Sequence, residues 1–272
     1  MYNMFNKPLP FICFCLMSIS CEADNIPEDK TSPSPISEKT VAWYGTSIPA
    51  GFPHHDQPAK WSYADKAVAK LGGIIQNRCV SGSTLMFKPQ VEHFDNLPFT
   101  DEHFEHGYKK QMLDLIGTSL EPDLFVLDFG ANDGQFDKKY FKMLDLNNLN
   151  WEERTTNTFL GAYNLVITSL LKKKPNANIA LLTHYSDDAD EPNFFPNTIA
   201  GYKKMNDLIV AIGHHYQIPV CEMRGETGWT VANLRRTWCK DGIHPASGDN
   251  MHSVEVLTEI VCRFIQGLSL RE

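Results

Sequence analysis

Short apolar runs of strand length alternate along the chain with longer segments in which apolar residues recur at helical spacing. Five of the short runs have the length and apolar content expected of strands. They are TVAWYG (40–45), IIQNRCV (74–80), PDLFVLDFG (122–130), NIALLTHY (178–185) and IPVCEM (218–223). PDLFVLDFG is almost continuously apolar, which is typical of a strand that is covered on both faces.

The segments between these runs predict helices. They are KWSYADKAVAKLG (60–72), residues 155–175, residues 199–216 and an amphipathic final segment, residues 248–268, that begins near Ser247 or Asp249. Because strands and helices alternate, we expect an α/β fold: a five-stranded, mostly parallel sheet between two layers of helices. Segments 83–120, 133–153 and 186–198 lack this pattern and predict insertions over one end of the sheet.

The N-terminus predicts an export signal. Lys7 precedes the apolar stretch LPFICFCLMSIS, which is too short to span a membrane comfortably and leads to Cys21. The sequence SISC resembles the lipidation site of bacterial lipoproteins, with ordinary secretion as the alternative. Residues 21–39 are rich in Pro, Ser and charge, so they predict a flexible tether. We therefore expect a signal peptide over 1–20, a tether over 21–39 and one domain over 40–272, lipid-anchored through Cys21 in the cell envelope or secreted.

The composition limits the classes of ligand and partner that the protein is expected to bind. The net charge of −8 argues against a nucleic acid, because proteins that bind nucleic acids usually carry a basic face. An exported protein can form disulfides, and the sequence does not choose among the pairings of Cys79, Cys221, Cys239 and Cys262. His103 and His106 have metal-like spacing, but no cluster of Cys, Asp and His completes a metal site. The sequence thus predicts neither a metal nor another cofactor, and it leaves the oligomeric state open.

Three polar motifs follow predicted strands, and a fourth precedes the last predicted helix. Thr46-Ser47 follows the first strand, Ser81-Gly82 the second, and Gly130–Asp133 (GAND) the third, while Asp241–His244 (DGIH) precedes the final helix. The carboxyl ends of parallel strands lie at one edge of a sheet, and ligands bind in the crevice there. We therefore expect residues about 200 positions apart in sequence to meet in one site.

These four blocks resemble the SGNH, or GDSL-type, hydrolase family, in the family's order and over residues 41–267. The resemblance implies a flavodoxin-like three-layer fold and a serine esterase that uses no cofactor. The matching residues are Ser47 in YGTSIPAG, Gly82 in CVSGSTL, Asn132 in DFGANDG, and Asp241 and His244 in KDGIHPA. One departure is clear: the family's usual GDS is GTS here, with Thr46 in place of Asp.

The residue types also suit acyl transfer on chemical grounds. A serine hydroxyl is a weak nucleophile that needs an adjacent base, which His244 can supply. Asp241 would fix the imidazole tautomer and stabilise the imidazolium that forms during attack. The backbone N–H groups of Ser47 and Gly82 and the side-chain amide of Asn132 are the candidate oxyanion donors.

Each motif alone has an ordinary structural interpretation as a helix cap or a turn. Their joint order on alternating strand ends favours the catalytic interpretation. The paired histidines and the large aromatic residues are taken as surface and core residues, except where a loop position suggests a pocket wall. Candidate pocket walls are His54, His55, Trp238, Phe194 and Phe195, and the remaining histidines considered are His103, His106, His214, His215 and His252.

The sequence therefore predicts an exported serine esterase that acts on small-molecule or polysaccharide esters, with acetyl esters on carbohydrates as the first candidate. A lipase or lysophospholipase with an apolar acyl tunnel and a transacylase with the same triad are the alternatives within the class. A glycan-binding lipoprotein without activity on the same scaffold is the alternative of another class, since fold does not fix function.

Overall fold

The computed structural model describes residues 33–86, 109–133, 144–156, 158–187 and 199–271. Several predicted features lie outside these residues: the signal peptide over 1–20, Cys21, and the side chains of His103, His106, Phe194 and Phe195. Within them, Ile36 is fully buried in the apolar core with Val41 and Val68. The packed part of the chain therefore begins ahead of residue 40, where the sequence placed the start of the domain.

Five strands form one sheet in the order β2-β1-β3-β4-β5, and every neighbouring pair is parallel. The strands are β1 (Thr40–Gly45), β2 (Ile74–Asn77), β3 (Leu124–Asp128), β4 (Ile179–Leu182) and β5 (Val220–Cys221). The predicted α/β fold is confirmed. The chain runs outward from β1 to β2 and then returns to β3, so the strand order reverses between β1 and β3. Ligands bind at such reversals in open α/β sheets.

Helices cover the sheet. They are α1 (Pro58–Trp61), α2 (Tyr63–Lys70), α3 (Lys109–Gly117), α4 (Phe159–Lys173), α5 (Ile199–Tyr216), α6 (Met223–Thr227), α7 (Val231–Asn233) and α8 (Met251–Gln266). A π-helical turn spans Leu234–Trp238 and a 3-10 turn spans Ser247–Asp249. The helix predicted over 199–216 has the bounds of α5. α3, by contrast, lies inside segment 83–120, which the sequence had assigned to an insertion.

Alternate residues of the strands enter two separate cores. Val41 and Trp43 of β1 belong to the core that includes α2 and α8. Ala42 and Tyr44 belong to the core on the other face, with α4 and α5. β3 is buried along its whole length, as its continuous apolar run predicted. The sheet is therefore the middle layer of three.

The helix predicted over 60–72 is interrupted at Ser62, so the prediction of one continuous helix is wrong. Ser62 has ψ 120°, an extended conformation that ends α1 and begins α2. Its buried hydroxyl accepts the N–H of Asp65 at 3.0 Å and donates to the carbonyl of Pro49 at 2.6 Å. Because that carbonyl belongs to the turn after β1, Ser62 fixes the start of α2 against this turn.

The cysteines in the described residues, Cys79, Cys221, Cys239 and Cys262, are free thiols. Cys221, Cys239 and Cys262 are buried. Searched over the same residues, the protein contains no helix with the length and apolar character needed to cross a membrane.

We predict that Ser62→Ala lowers the free energy of unfolding by about 1–2 kcal/mol, because it removes an N-cap and a buried hydrogen bond together. Urea unfolding measures the change. Thr158→Ala is the matched control: Thr158 caps α4 by accepting the N–H of Gly161, and its hydroxyl donates to Glu153 Oε1 at 2.7 Å in a half-buried position. We expect it to lose about 1 kcal/mol. An unchanged urea midpoint for Ser62→Ala would contradict the role assigned to this hydroxyl.

Candidate active site

The predicted site residues come from loops that follow the sheet at its carboxyl edge. Ser47 lies two residues beyond the end of β1, and Asn132 lies four residues beyond the end of β3. Gly82 follows β2, and Asp241 and His244 precede the 3-10 turn that leads into α8. A parallel sheet brings these loops to one edge because all its strands run in the same direction.

The nucleophile turn, residues 46–51, is tightly wound. The N–H of Ala50 donates to the carbonyl of Thr46 at 3.2 Å, and the N–H of Phe52 donates to the carbonyl of Ser47 at 3.0 Å. Gly51 closes the turn at φ 80°, with Ser62 N only 2.9 Å from where a Cβ would lie. The left-handed conformation and the lack of space both require glycine there. Ser47 is held with 7% of its surface exposed.

Ser47, His244 and Asp241 form a continuous hydrogen-bonded series. Ser47 Oγ lies 2.9 Å from His244 Nε2, and His244 Nδ1 lies 2.7 Å from Asp241 Oδ2. A carboxylate accepts hydrogen bonds, so Nδ1 carries the ring hydrogen and Nε2 presents a lone pair to the serine hydroxyl. This is the arrangement in which an imidazole can take the serine proton during nucleophilic attack.

The Asp241 carboxylate is fixed by its own segment. Asp241 Oδ1 accepts the backbone N–H groups of Ile243 at 2.9 Å and His244 at 2.7 Å. Burial raises the pKa of Asp241. The hydrogen bonds from the His244 ring and from these N–H groups outweigh that effect and lower the pKa to about 2. Asp241 therefore remains an anion at neutral pH, as an orienting carboxylate must.

Three groups hold the backbone and the ring around His244. Ser247 Oγ donates to the carbonyl of His244 at 2.6 Å and accepts the N–H of Asp241 at 3.2 Å. The Tyr185 hydroxyl donates to the carbonyl of Ile243. The Phe52 ring lies against the His244 ring, with 4.5 Å between centroids. Nothing in the sequence singled out Ser247, Tyr185 or Phe52 for this role, because their partners come from distant segments or from backbone atoms.

Gly82 and Asn132, the predicted oxyanion residues, lie on adjacent loops. Gly82 has φ 78°, a conformation that favours glycine. The Asn132 side-chain amide donates to the carbonyl of Ser83 at 2.9 Å. Ser83 Oγ in turn donates at 2.9 Å to the carbonyl of Gly45, at the start of the nucleophile turn. The structure thus brings the glycine block, the asparagine block and the nucleophile block together.

Asp133 holds the loop that contains Gly82, which we call the glycine loop (residues 78–86). The sequence had suggested only a turn or a cap for this residue. Its Oδ1 accepts the backbone N–H groups of Leu85 at 2.8 Å and Met86 at 2.7 Å. The side chain has no exposed surface. Burial raises the pKa of Asp133 to about 7, although these hydrogen bonds oppose the increase. The only signal in the sequence was its position next to Asn132.

Gln111 is another residue that sequence reasoning missed. Its side-chain amide donates to the carbonyls of Gly45 at 2.9 Å and Arg78 at 2.6 Å. Gln111 lies on α3 and so bridges the ends of β1 and β2 from a segment assigned to an insertion. A glutamine in an apolar helical period carried no signal of this contact.

The other polar and aromatic candidates separate into two groups. His54 and His55 lie near the site: His54 stacks on Trp61, and His55 stacks on Phe52 with 6.2 Å between centroids. Trp238 stacks on Trp229. Of the remaining histidines, His215 stacks on Trp151, and His252 lies against Trp238. In the part of the chain that the structure describes, no three His, Cys, Asp or Glu side chains form a group that could hold a metal ion.

A parallel α/β/α sheet with a Ser–His–Asp series at its carboxyl edge defines the architecture of a serine hydrolase. Residues 43–247 match the model of the GDSL-like Lipase/Acylhydrolase family. The match covers more than half of the chain, so the protein belongs to this family and is a serine ester hydrolase. No curated protein matches the chain.

Solved structures share the fold at low sequence identity. A protein from Lactobacillus plantarum is 18% identical with a TM-score of 0.61, over 86% of this chain and 100% of that one. A possible lipase from Chitinophaga pinensis is 15% identical with a TM-score of 0.56, over 85% and 100%. A variant of Axe2, an acetyl-xylooligosaccharide esterase from Geobacillus, is 16% identical with a TM-score of 0.52, over 88% and 99%.

We predict that the Asp133→Asn variant gains stability relative to the wild-type protein as the pH rises. With a folded pKa of about 7 and an ordinary value of 3.8, Asp133 binds a proton more tightly in the folded state. The wild-type protein therefore loses stability as the pH rises from 4 to 7, by up to about 4 kcal/mol from this group. The neutral amide can still accept both N–H groups and does not titrate.

The measurement is the difference in unfolding free energy between Asp133→Asn and wild type at pH 5 and pH 8. We expect this difference to move in favour of the variant at the higher pH. Asp145→Asn replaces an exposed aspartate and serves as the control. A difference that is independent of pH would show that Asp133 is ionised in the folded protein already at pH 5.

Proposed function

We propose that the protein hydrolyses short-chain O-acyl esters, with acetyl esters on carbohydrates as its main substrates. The single observation that carries the esterase chemistry is the hydrogen-bonded series of Ser47, His244 and Asp241, with contacts of 2.9 Å and 2.7 Å. The acetyl-xylooligosaccharide esterase with the same fold acts on this class of ester. An exported, tethered enzyme would meet such glycans outside the cell.

In the proposed mechanism, Ser47 Oγ attacks the ester carbonyl while its proton moves to His244 Nε2. The same proton passes to the leaving alkoxide as the ester C–O bond breaks, which gives the acyl-enzyme and a free alcohol. Water then attacks the acyl-enzyme, with His244 again as base. The acid departs and the proton returns to Ser47. Asp241 stays ionised throughout and stabilises the imidazolium.

The negative oxygen of each tetrahedral intermediate requires donors that are already in place. We assign these to the backbone N–H groups of Ser47 and Gly82 and to the Asn132 amide. The contact from Asn132 to Ser83 supports this assignment, because it fixes the amide beside the glycine loop. A single donor of this kind is worth on the order of 3 kcal/mol of transition-state stabilisation.

Phe52 and His55 supply a candidate platform for the alcohol part of the substrate. Their rings are nearly parallel, 8° apart, and both residues are at least partly exposed. Phe52 also contacts the His244 ring. A flat apolar surface next to the base suits the C–H face of a sugar ring, which packs on aromatic side chains as apolar surface does.

The proposed location remains the cell envelope, with the domain attached through lipid on Cys21 or secreted after signal cleavage. The apolar stretch before Cys21 and the polar composition of residues 21–39 support this proposal. Ester substrates are the expected partners, and the membrane is approached only through the lipid.

The first test compares hydrolysis of p-nitrophenyl acetate and p-nitrophenyl octanoate by mature protein and by Ser47→Ala. We expect acetate to be the better substrate and the variant to lose activity by at least about 1,000-fold, because the nucleophile is gone. Faster turnover of octanoate would replace the proposal with a lipase-like enzyme. Transfer of the acetyl group to an added sugar in preference to water would identify a transacylase.

The second test addresses the sugar platform. We predict that Phe52→Ala raises KM for an acetylated xylo-oligosaccharide about fivefold more than KM for p-nitrophenyl acetate, because one aromatic contact is worth about 1 kcal/mol. His215→Ala is the matched control. This substitution removes the His215 ring, which lies in the last turn of α5 and stacks on Trp151. Equal effects on both substrates would argue against a sugar platform.

A further inference from the structure

A buried carboxyl group lies at the end of β3, immediately beside the nucleophile turn. Asp128 pairs in register with Gly45, the last residue of β1. A Cβ on Gly45 would lie 2.8 Å from the Asp128 carbonyl oxygen and 3.1 Å from the Asp128 Cβ. The mechanism above does not use Asp128, and buried carboxyl groups are rare unless they have a partner or a function.

Two side chains donate to Asp128. The Trp43 indole N–H donates to Oδ2 at 3.2 Å, and the Tyr63 hydroxyl donates to the same oxygen. Tyr63 is the first residue of α2 and follows Ser62, which holds the carbonyl of Pro49 in the nucleophile turn. The carboxyl group is therefore linked to this turn through the start of α2.

Asp128 also faces a small cleft behind the nucleophile turn. Its volume is about 10 Å³, and Thr46, Asp128, His184 and Tyr185 are among the residues that line it. That volume is close to the space needed by one water molecule. The lining combines the polar residues Thr46, Asp128 and His184 with apolar ones such as Ile48 and Phe129.

His184, which lines this cleft, has a buried ring nitrogen without a partner in the described part of the chain. Its Nδ1 lies 2.9 Å from the carbonyl oxygen of Ser186, closer than the 3.3 Å contact from the Ser186 N–H. A carbonyl only accepts, so Nδ1 carries the hydrogen and Nε2 is a bare acceptor. This nitrogen is buried and has no hydrogen-bond partner among the residues that the structure describes. Burial also lowers the pKa of His184 to about 4, which keeps the ring neutral.

The same cleft gives a reason for GTS in place of the family's usual GDS. An aspartate at position 46 would bring a second carboxyl group into a buried cleft that already contains Asp128. Two neighbouring carboxyl groups in a buried site cannot both ionise without a large cost. Threonine supplies a hydroxyl that can donate and accept but has no charge.

We propose that Asp128 is the positioning residue of the nucleophile turn, and that this chain carries on β3 the carboxyl group that GDS relatives carry next to the serine. Asp128 acts through Tyr63 and α2, and through a one-water site that it shares with Thr46 and His184. This water would donate to His184 Nε2 and accept from the Thr46 hydroxyl. Asp128 itself touches no substrate.

The first part of the test measures how fast a fluorophosphonate labels Ser47, together with kcat and KM for p-nitrophenyl acetate. We expect Asp128→Leu to slow labelling and lower kcat by about 100-fold with little change in KM, because a shifted nucleophile reacts slowly but does not alter substrate binding. Asp128→Asn keeps an acceptor for Tyr63 and Trp43, so it should retain most of the labelling rate. Tyr63→Phe should slow labelling in the same direction as Asp128→Leu.

The matched control is Asp123→Leu. Asp123 Oδ2 accepts the N–H of Thr40 at 2.7 Å, at the opposite ends of the same two strands. Its loss should lower the melting temperature without changing the labelling rate. If folded Asp128→Leu or Tyr63→Phe labelled as fast as Asp123→Leu, Asp128 would have only a structural role and the proposal would be wrong.

The second part moves the carboxyl group between the two positions. Thr46→Asp alone should reduce labelling by at least about tenfold, because it pairs two buried carboxyl groups. Thr46→Asp combined with Asp128→Asn should recover most of this loss. Effects that simply multiply would show that the two positions are independent and would overturn the proposal. This part needs no disruptive substitution of Asp128, so it decides the question even if Asp128→Leu fails to fold.

Discussion

The carbonyl oxygen of Gly45 joins the sheet to the active site. It accepts the N–H of Val80 at 3.1 Å, the hydroxyl of Ser83 at 2.9 Å and the amide of Gln111 at 2.9 Å. These donors come from the loop after β2 and from α3, and they converge on the last residue of β1. The N–H of Val80 continues the parallel pattern in which the N–H of Arg78 donates to the carbonyl of Trp43. The two side-chain donors add to it at the point where the nucleophile turn begins.

Different segments of the chain hold the different parts of the site, and each segment is held by its own set of contacts. The segment of Asp241 and His244 orients itself through local backbone hydrogen bonds. The nucleophile turn is held from outside, by Ser62 on one side and by the glycine loop on the other. The buried aspartates 128 and 133 give up stability at neutral pH, since burial raises the pKa of each to about 7. Such a cost is common at functional sites, where geometry matters more than stability.

The sequence predicted the strands and long helices because each has a clear apolar period, as β3 and α5 illustrate. It predicted the grouping of Ser47, Asn132 and His244 because parallel strands place their ends together. It failed at Ser62, where a hydrogen bond to a distant carbonyl breaks a helical period, and at α3. Gln111 and Asp133 were missed for a related reason, since their partners are backbone atoms that leave no pattern in the sequence.

The sequence by itself determined the alternation of layers and the order of the catalytic blocks, because hydrophobic periodicity and residue chemistry act locally. The class of serine ester hydrolases followed from the resemblance of those blocks to a known family. Only the tertiary structure decided that the His244 ring reaches Ser47 Oγ, that Phe52 and His55 stack beside it, and that Asp128 lies next to Gly45. Those facts depend on the register between β1 and β3 and on side-chain packing. Both arise from the whole folded chain, and no single segment encodes them.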